Sequence, residues 1–205
     1  MNILFGGCSY CYGDELDDVE KERYSYFVSS ELNALETNVS RGGNSNHKIL
    51  YDLYDSIKIK QYDICVVGIT YLYRFMMPGA HSRDKVRQIN QITSNSTIYD
   101  KFASVIYSQS ISDRSNWLYY YKNLFLMFDA ACKTKDIKVF YTFVDEIDQI
   151  EFLKDQDLKH LNIICEPFKQ FTKNNNYAIG NQKHPLQEAH LNYSKQIIKE
   201  IKNVL

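Results

Sequence analysis

The sequence predicts a domain of the α/β class, built on a mainly parallel sheet of about five strands. Short β-rich segments alternate along the chain with longer segments of helical periodicity, which is typical of a parallel sheet with helical crossovers. The segment 64–69 (ICVVGI) is apolar throughout, as expected for a strand buried on both faces. With 205 residues, the chain has the size of a single domain.

The predicted elements follow one another in order. Short runs of strand-forming residues predict five strands, at residues 2–5, 37–39, 64–69, 138–144 and 162–165. Helical patterns predict four helices, at residues 20–32, 44–57, 117–133 and 187–204. Because ligand sites of parallel sheets lie at the carboxyl ends of the strands, the residues that follow each strand are the first candidates for function.

Residues 71–115 do not fit this minimal plan, and we predict that they form a cap-like insertion within a single domain of residues 1–205. The stretch contains Pro78 and Gly79 among many polar residues. Loops of this length are usually functional or disordered. This one follows the third strand directly, which is where a cap over the site would lie.

The composition excludes several classes of partner. The chain has 24 Lys+Arg and 25 Asp+Glu, so a net charge of -1 provides no basic field for a nucleic acid or an anionic membrane. The longest apolar run is far shorter than the ~20 residues of a membrane-spanning helix, and the N-terminus shows no signal peptide. Five cysteines, an odd number, are typical of reduced thiols. We therefore expect a cytoplasmic protein.

The first strand leads into a turn that carries a serine. Gly6 and Gly7 allow a tight turn, and the backbone N–H groups around Ser9 could hold an oxyanion. The segment lacks the G-x-S-x-G nucleophile elbow, because Cys11 occupies its last position. Ser9 could equally be a simple helix cap.

Polar residues also follow the later elements. Gly42 and Gly43 come after the second strand and allow the backbone to approach a ligand closely. Thr70 ends the buried third strand. His184 precedes the last helix in a loop fixed by Pro185, where it is well placed to act as a general base.

Taken in order, these blocks resemble the SGNH (GDSL-type) hydrolase family of esterases, lipases and acetyl-carbohydrate esterases. The chain has Gly-x-Ser-x-x-x-Gly near its start, Gly-x-Ser-Asn after the second strand, a polar end to the third strand and His-Pro near its end. The GCSxxxG form of the first block is similar to phage-encoded and bacterial members. The resemblance implies a flavodoxin-like, three-layer α/β/α fold and a serine esterase or acetylhydrolase. It implies a small ester or acylated carbohydrate as the substrate, and no metal or organic cofactor.

The resemblance also implies roles for individual residues. Ser9 matches the nucleophile and His184 the base, while the N–H groups of Ser9 and Gly43 match the oxyanion hole. Thr70 stands where the family has an asparagine donor to the oxyanion. Asn181 stands where the family has the aspartate that orients the base, so we assign it the third catalytic position.

Residues near these blocks are predicted to contact the substrate, namely Tyr10, Asn46, Tyr71, Tyr73 and Arg74. Tyrosine rings are suitable platforms for sugars. Arg74 would bind an anionic group of the substrate or pair with an acidic residue of the cap. For the run Tyr119-Tyr120-Tyr121, packing along an amphipathic helix is the simpler interpretation.

Two other interpretations stay open. The departures at Thr70 and Asn181 would suit a catalytically degenerate protein that binds carbohydrate or has a structural, phage-associated role. Cys8 and Cys11 form a C-x-x-C after a strand, which is the spacing of a thiol-redox pair. The same two cysteines could instead be small packing residues.

Overall fold

The centre of the protein is a parallel sheet of four strands. The computed structural model describes residues 1–72, 74, 76–78, 86–88 and 114–204. The sheet has the order β2-β1-β3-β6, with the strands β1 (Asn2–Gly6), β2 (Leu35–Asn38), β3 (Ile64–Ile69) and β6 (Lys138–Phe143). A separate antiparallel pair consists of β4 (Met76–Pro78) and β5 (Val86–Gln88).

Helices cover both faces of this sheet. They are α1 (Ser9–Tyr12), α2 (Val19–Glu22), α3 (Tyr24–Glu31), α4 (Asn46–Ile59), α5 (Arg114–Lys133), α6 (Glu146–Lys154), α7 (Phe168–Asn174) and α8 (Gln187–Val204). Leu4 and Val67 point to one face and pack with α4, α5 and α6. Phe5 and Val66 point to the other face and pack with α3, α7 and α8. The predicted α/β class and the three-layer arrangement are confirmed.

The predicted helix over 20–32 is divided in two. Arg23 has an extended backbone, with φ −73° and ψ 150°, and separates α2 from α3. The N–H of Tyr24 donates to Nδ1 of His190 at 3.1 Å. A buried histidine of the last helix therefore receives the first N–H of α3, and so helps to define where α3 begins.

The predicted fifth strand is reduced to one parallel bridge, between Tyr141 and Ile163. The Tyr141 N–H donates to the carbonyl of Asn162 at 2.8 Å, and the Ile164 N–H donates back to Tyr141 at 2.9 Å. Cys165 then has a left-handed backbone with φ 64°, which takes the chain away from the sheet.

The predicted cap-like insertion around 71–115 lies mostly outside the described residues, which include β4, β5 and the start of α5. Further along α5, Tyr121 is buried, whereas Tyr119 and Tyr120 are exposed. Only one of the three tyrosines therefore packs in the core. Within the described ranges, no helix combines the length and the apolar character needed to cross a membrane.

Candidate active site

The site begins with the turn that follows β1. Cys8 is the residue before α1, and Ser9 is the first residue of the helix, 2% exposed. The Cys8 carbonyl accepts the N–H groups of Cys11 and Tyr12, at 3.0 and 2.9 Å. In the described part of the chain, the N–H groups of Ser9 and Tyr10 have no acceptor in a backbone hydrogen bond. These N–H groups are therefore available to an oxyanion.

Two glycines make room for a cysteine under this turn. A Cβ at Gly7 or at Gly68 would overlap the sulfur of Cys11, so that sulfur fills the space that the two glycines leave. Cys11 is 3% exposed, and burial raises the pKa of its thiol. Cys8 is also fully buried. A redox pair needs accessible thiols of lowered pKa, so the packing interpretation of Cys11 is favoured.

The loop after β2 is joined to this turn through one carbonyl. The Gly7 carbonyl accepts the Arg41 N–H and the side-chain amide of Asn44, both at 3.3 Å. Gly43 follows with φ 75°, a left-handed conformation that favours glycine. The structure therefore holds the Gly43 loop against the turn that carries Ser9.

Asn46 joins the same loop to the end of β3. Its Oδ1 accepts the Thr70 N–H at 2.9 Å, and its Nδ2 donates to the Thr70 carbonyl at 3.1 Å. The residue is 1% exposed. The expectation of a substrate contact is therefore replaced by a structural role, because the amide is buried and already bonded to the backbone.

Thr70 and Arg74 meet at the end of β3. Thr70 is 1% exposed, and its Oγ1 accepts a hydrogen bond from Nη1 of Arg74 at 3.0 Å. The Arg74 guanidinium also lies over the Tyr71 ring, 4.8 Å from its centre. Arg74 therefore contacts the candidate oxyanion position, and the predicted pairing with an acidic residue of the cap falls largely outside the described residues.

His184 is held by a residue that the sequence did not single out. Oε2 of Glu15 lies 3.1 Å from Nδ1 of His184, and it also accepts the His184 N–H at 3.1 Å. Oε1 of Glu15 accepts the N–H of Gln182 at 2.8 Å. Because an ionised carboxylate only accepts, Nδ1 carries the proton and Nε2 is left as the basic nitrogen.

The electrostatics fit an ionised Glu15. Its pKa is lowered, first by the hydrogen bond from the Gln182 backbone and then by the bonds from His184. The neighbouring Asp14 has the opposite shift, because burial raises its pKa. Glu15 is therefore the carboxylate that can orient and stabilise a protonated His184.

Asn181 does not take the orienting position. It is exposed, in the tight loop between Gly180 and His184, where the carboxylate of Glu15 occupies Nδ1 of the histidine. Little in the sequence indicates that Glu15, and not Asn181, is the partner of His184. Glu15 follows Gly13 and Asp14 in the first block, 169 positions before His184, and no spacing rule relates the two.

The other predicted substrate contacts lie near His184. The Tyr10 ring is 5.2 Å from the His184 ring in an edge-on contact, and its hydroxyl donates to the Lys183 carbonyl at 3.4 Å. Tyr71 is half-buried and hydrogen-bonds the Tyr10 side chain. Tyr73 lies outside the described residues.

A cavity of about 640 Å³ is lined by Lys183 and Pro185, the two chain neighbours of His184, and by Tyr10, whose ring contacts the histidine. Its wall includes Tyr10, Ile147, Lys169, Tyr177 and Lys183. Small-molecule sites commonly have volumes of about 300–1,000 Å³. The cavity is therefore large enough for one or two sugar units or a short acyl chain.

A second histidine, His190, is structural. It is fully buried, its Nδ1 accepts the Tyr24 N–H, and its ring stacks on Tyr24 at 5.9 Å. Burial lowers its pKa to about 3, so it stays neutral near pH 7. His184 is therefore the better candidate for the base.

We compared the chain with known protein families, sequences and solved structures. No protein-family model matches the chain, and no curated protein sequence matches it. Solved structures do match over nearly the whole chain. A protein of the G-D-S-L lipolytic family from Desulfitobacterium hafniense has 7% identity and a TM-score of 0.59, covering 97% of this chain and 98% of its own.

Two esterases give similar values. The psychrotrophic esterase EstA from Pseudoalteromonas has 9% identity and a TM-score of 0.60, covering 99% of this chain and 97% of its own. A catalytic mutant of the acetylxylan esterase Axe2 from Geobacillus stearothermophilus has 9% identity and a TM-score of 0.60, covering 98% and 93%. The chain therefore has the three-layer α/β fold of the GDSL/SGNH esterases.

Proposed function

We propose that this protein is a serine esterase of the SGNH type that hydrolyses a small ester, with an O-acetylated carbohydrate as the favoured substrate class. The observation that carries the proposal is the contact between Glu15 and His184. Three hydrogen bonds from one loop converge on this carboxylate. The ring of His184 lies 5.2 Å from that of Tyr10, the residue after Ser9 in the same helix. A neutral histidine oriented by a carboxylate is the arrangement that activates a serine.

The proposed reaction has two stages. In the first, Nε2 of His184 takes the proton of Ser9 as its Oγ attacks the acyl carbon, and Glu15 stabilises the imidazolium. The tetrahedral intermediate then expels the alcohol, which leaves with the proton from His184. In the second stage, water attacks the acyl-enzyme with the same histidine as base, and the acid and free Ser9 are released.

The oxyanion of each tetrahedral intermediate would be held by three donors. These are the N–H groups of Ser9 and Gly43 and the hydroxyl of Thr70. The contacts through Gly7 and Asn46 support this assignment, because they tie the three loops together. Fixed donors of this kind stabilise the charge without reorganisation during the reaction.

The cavity and the structural neighbours support the proposed substrate class. Tyr10 and Tyr177 provide ring surfaces, and lysines and polar side chains provide hydrogen-bonding groups on the same wall. One structural neighbour is an acetylxylan esterase, and another is an esterase active on acetylated mannans. Both observations support an acetylated sugar over a long lipid chain.

The test is hydrolysis of p-nitrophenyl acetate and of acetylated xylo- and manno-oligosaccharides by the purified protein. We expect turnover that Ser9→Ala reduces to the background rate, since loss of the nucleophile costs on the order of 10⁶ in kcat. Ser30→Ala, at an exposed serine of α3, is the matched control and should match wild type.

A catalytically degenerate, sugar-binding protein gives a different result. A folded wild-type protein that hydrolyses none of these esters, yet binds the oligosaccharides equally well with and without Ser9→Ala, would overturn the esterase proposal. Equal hydrolysis by wild type and Ser9→Ala would overturn the assignment of the nucleophile.

A further inference from the structure

The hydroxyl of Thr70 has one proton, and Arg74 determines where that proton can point. A guanidinium only donates hydrogen bonds, so Oγ1 of Thr70 is the acceptor in the 3.0 Å contact with Nη1 of Arg74. The proton of Thr70 must then be directed away from Arg74. Among the hydrogen bonds described for this part of the chain, none uses that proton.

Thr70 is fixed on its backbone side as well. The amide of Asn46 bonds both its N–H and its carbonyl, at 2.9 and 3.1 Å. With 1% of the residue exposed, the side chain sits in a protected setting, where a hydrogen bond to a developing negative charge is strong.

Arg74 is held at three points. Its guanidinium bonds Thr70 and lies 4.8 Å from the centre of the Tyr71 ring. Its own carbonyl accepts the hydroxyl of the buried Tyr121. Arginine also keeps its charge over the whole working pH range. Neither the position nor the charge of this group depends on a bound substrate.

We propose that Arg74 is a positioning residue that makes Thr70 a donor to the oxyanion. By filling an acceptor site of Oγ1, the guanidinium orients the Thr70 proton toward the reaction and polarises the O–H bond. The Thr70–Arg74 pair then does the work of the asparagine found at this position in SGNH hydrolases. This inference rests on the proposed esterase function and replaces the expectation that Arg74 binds an anionic group of the substrate.

The test is a double-mutant cycle on p-nitrophenyl acetate hydrolysis. Thr70→Val should lower kcat by about 10²–10³-fold, as expected for a lost oxyanion donor. Arg74→Gln should lower kcat by about 10- to 100-fold with KM nearly unchanged, because a misdirected donor affects the transition state selectively. Adding Arg74→Gln to Thr70→Val should have no further effect.

Two further variants separate positioning from a structural role. Thr70→Asn supplies an amide donor that needs no arginine, so Arg74→Gln should cost little in that background. The affinity for a boronic acid, which mimics the tetrahedral state, should fall in Arg74→Gln in proportion to kcat. Lys195→Gln, at a cation on α8, is the matched control and should behave as wild type.

Several results would overturn the inference. They are an unchanged kcat in Arg74→Gln, a raised KM with normal kcat, or effects of Thr70→Val and Arg74→Gln that multiply.

If Arg74→Gln does not fold, Arg74→Lys is the second variant, because lysine keeps the charge and one donor. Arg74→Lys should unfold at the wild-type temperature and show an intermediate kcat. A wild-type kcat in this variant would contradict the inference. A folded wild type without esterase activity removes the proposed function and this inference together, whereas any of the other results removes the inference alone.

Discussion

At the scale of residues, Glu15 is the group on which the site depends most. Its backbone is left-handed, with φ 73°, which costs a non-glycine residue on the order of 1–2 kcal/mol. In return, its carboxylate receives the N–H groups of Gln182 and His184 and the Nδ1 proton of His184. One side chain therefore fixes both the loop and the tautomer of the candidate base.

Glu15→Gln should lower kcat with little change in KM. The glutamine keeps the size of the side chain but cannot stabilise an imidazolium, and the equivalent change in a serine protease lowers turnover about 10⁴-fold. Steady-state hydrolysis of p-nitrophenyl acetate measures the effect. Glu20→Gln, at an exposed carboxylate, is the control. A kcat within twofold of wild type in Glu15→Gln would contradict the role.

The same carboxylate should make stability depend on pH. Its pKa is lowered below the ordinary value of about 4.3. The stabilisation that it contributes is therefore present above that value and lost as the pH falls through the lowered pKa. Urea unfolding should show wild type and Glu15→Gln differing at pH 7 and converging at acid pH, once the pH is below the lowered pKa. A difference that stays constant with pH would speak against this linkage.

At the scale of elements, the close approach of two loops is as important as the side chains. A Cβ at Gly180 would lie 2.5 Å from Cδ and Oε1 of Glu15, so only glycine lets the carboxylate reach its three partners. The loop is closed by the Gly180 N–H, which donates to the carbonyl of His184 at 2.9 Å. The glycine and the carboxylate thus form one structural unit.

Gly180→Ala should therefore reduce both kcat and stability. Displacing Glu15 costs about 1–3 kcal/mol, as overpacking generally does, and it releases His184. In a Glu15→Ala background the same change should cost almost nothing, because the clashing carboxylate is absent. Equal losses of unfolding free energy in the two backgrounds would show that Glu15 is not the cause.

The helices show where prediction from the sequence succeeds and where it stops. The last helix was predicted over 187–204 and is observed over those residues, because its apolar residues face the core. Helix α6 gave no such signal. Its buried face carries Asp148, which accepts the Leu72 N–H at 3.3 Å, while Ile147 and Ile150 are about half exposed. The same buried face also carries Phe152, so polar and apolar residues are mixed on both faces and the helical period is lost without the tertiary contacts.

The candidate site, like the helices, could be predicted from the sequence only in part. Ser9, Gly43 and Thr70 follow predicted strands, and His184 precedes the predicted last helix, so the sequence leads us to expect them near one edge of the sheet. The partner of His184 could not be predicted from the sequence, because Glu15 reaches the histidine only through a left-handed backbone and a glycine on the opposite loop.

At the scale of the whole molecule, one buried histidine links the two ends of the chain. His190 of α8 accepts the first N–H of α3, and burial lowers its pKa to about 3. The unfolded chain binds a proton at this position below about pH 6.5, whereas the folded protein does not until about pH 3. The folded state should therefore lose stability as the pH falls between these values.

His190→Gln tests this linkage, because glutamine keeps a hydrogen-bond acceptor but does not titrate. Between pH 6 and pH 4, the unfolding free energy of wild type should carry an acid-dependent slope of up to about 1.4 kcal/mol per pH unit that the variant lacks. Urea titrations at several pH values measure it. Parallel pH profiles for the two proteins would contradict the assignment.

Ser9, activated by His184 and Glu15, is the proposed nucleophile. The most direct measurement is covalent labelling with an alkyl fluorophosphonate, followed by peptide mass spectrometry. We predict one label, on Ser9, formed rapidly in wild type, far more slowly in Glu15→Gln and not at all in Ser9→Ala. A folded wild-type protein that takes no label, or a label on Cys8 in place of Ser9, would show that Ser9 is not the nucleophile.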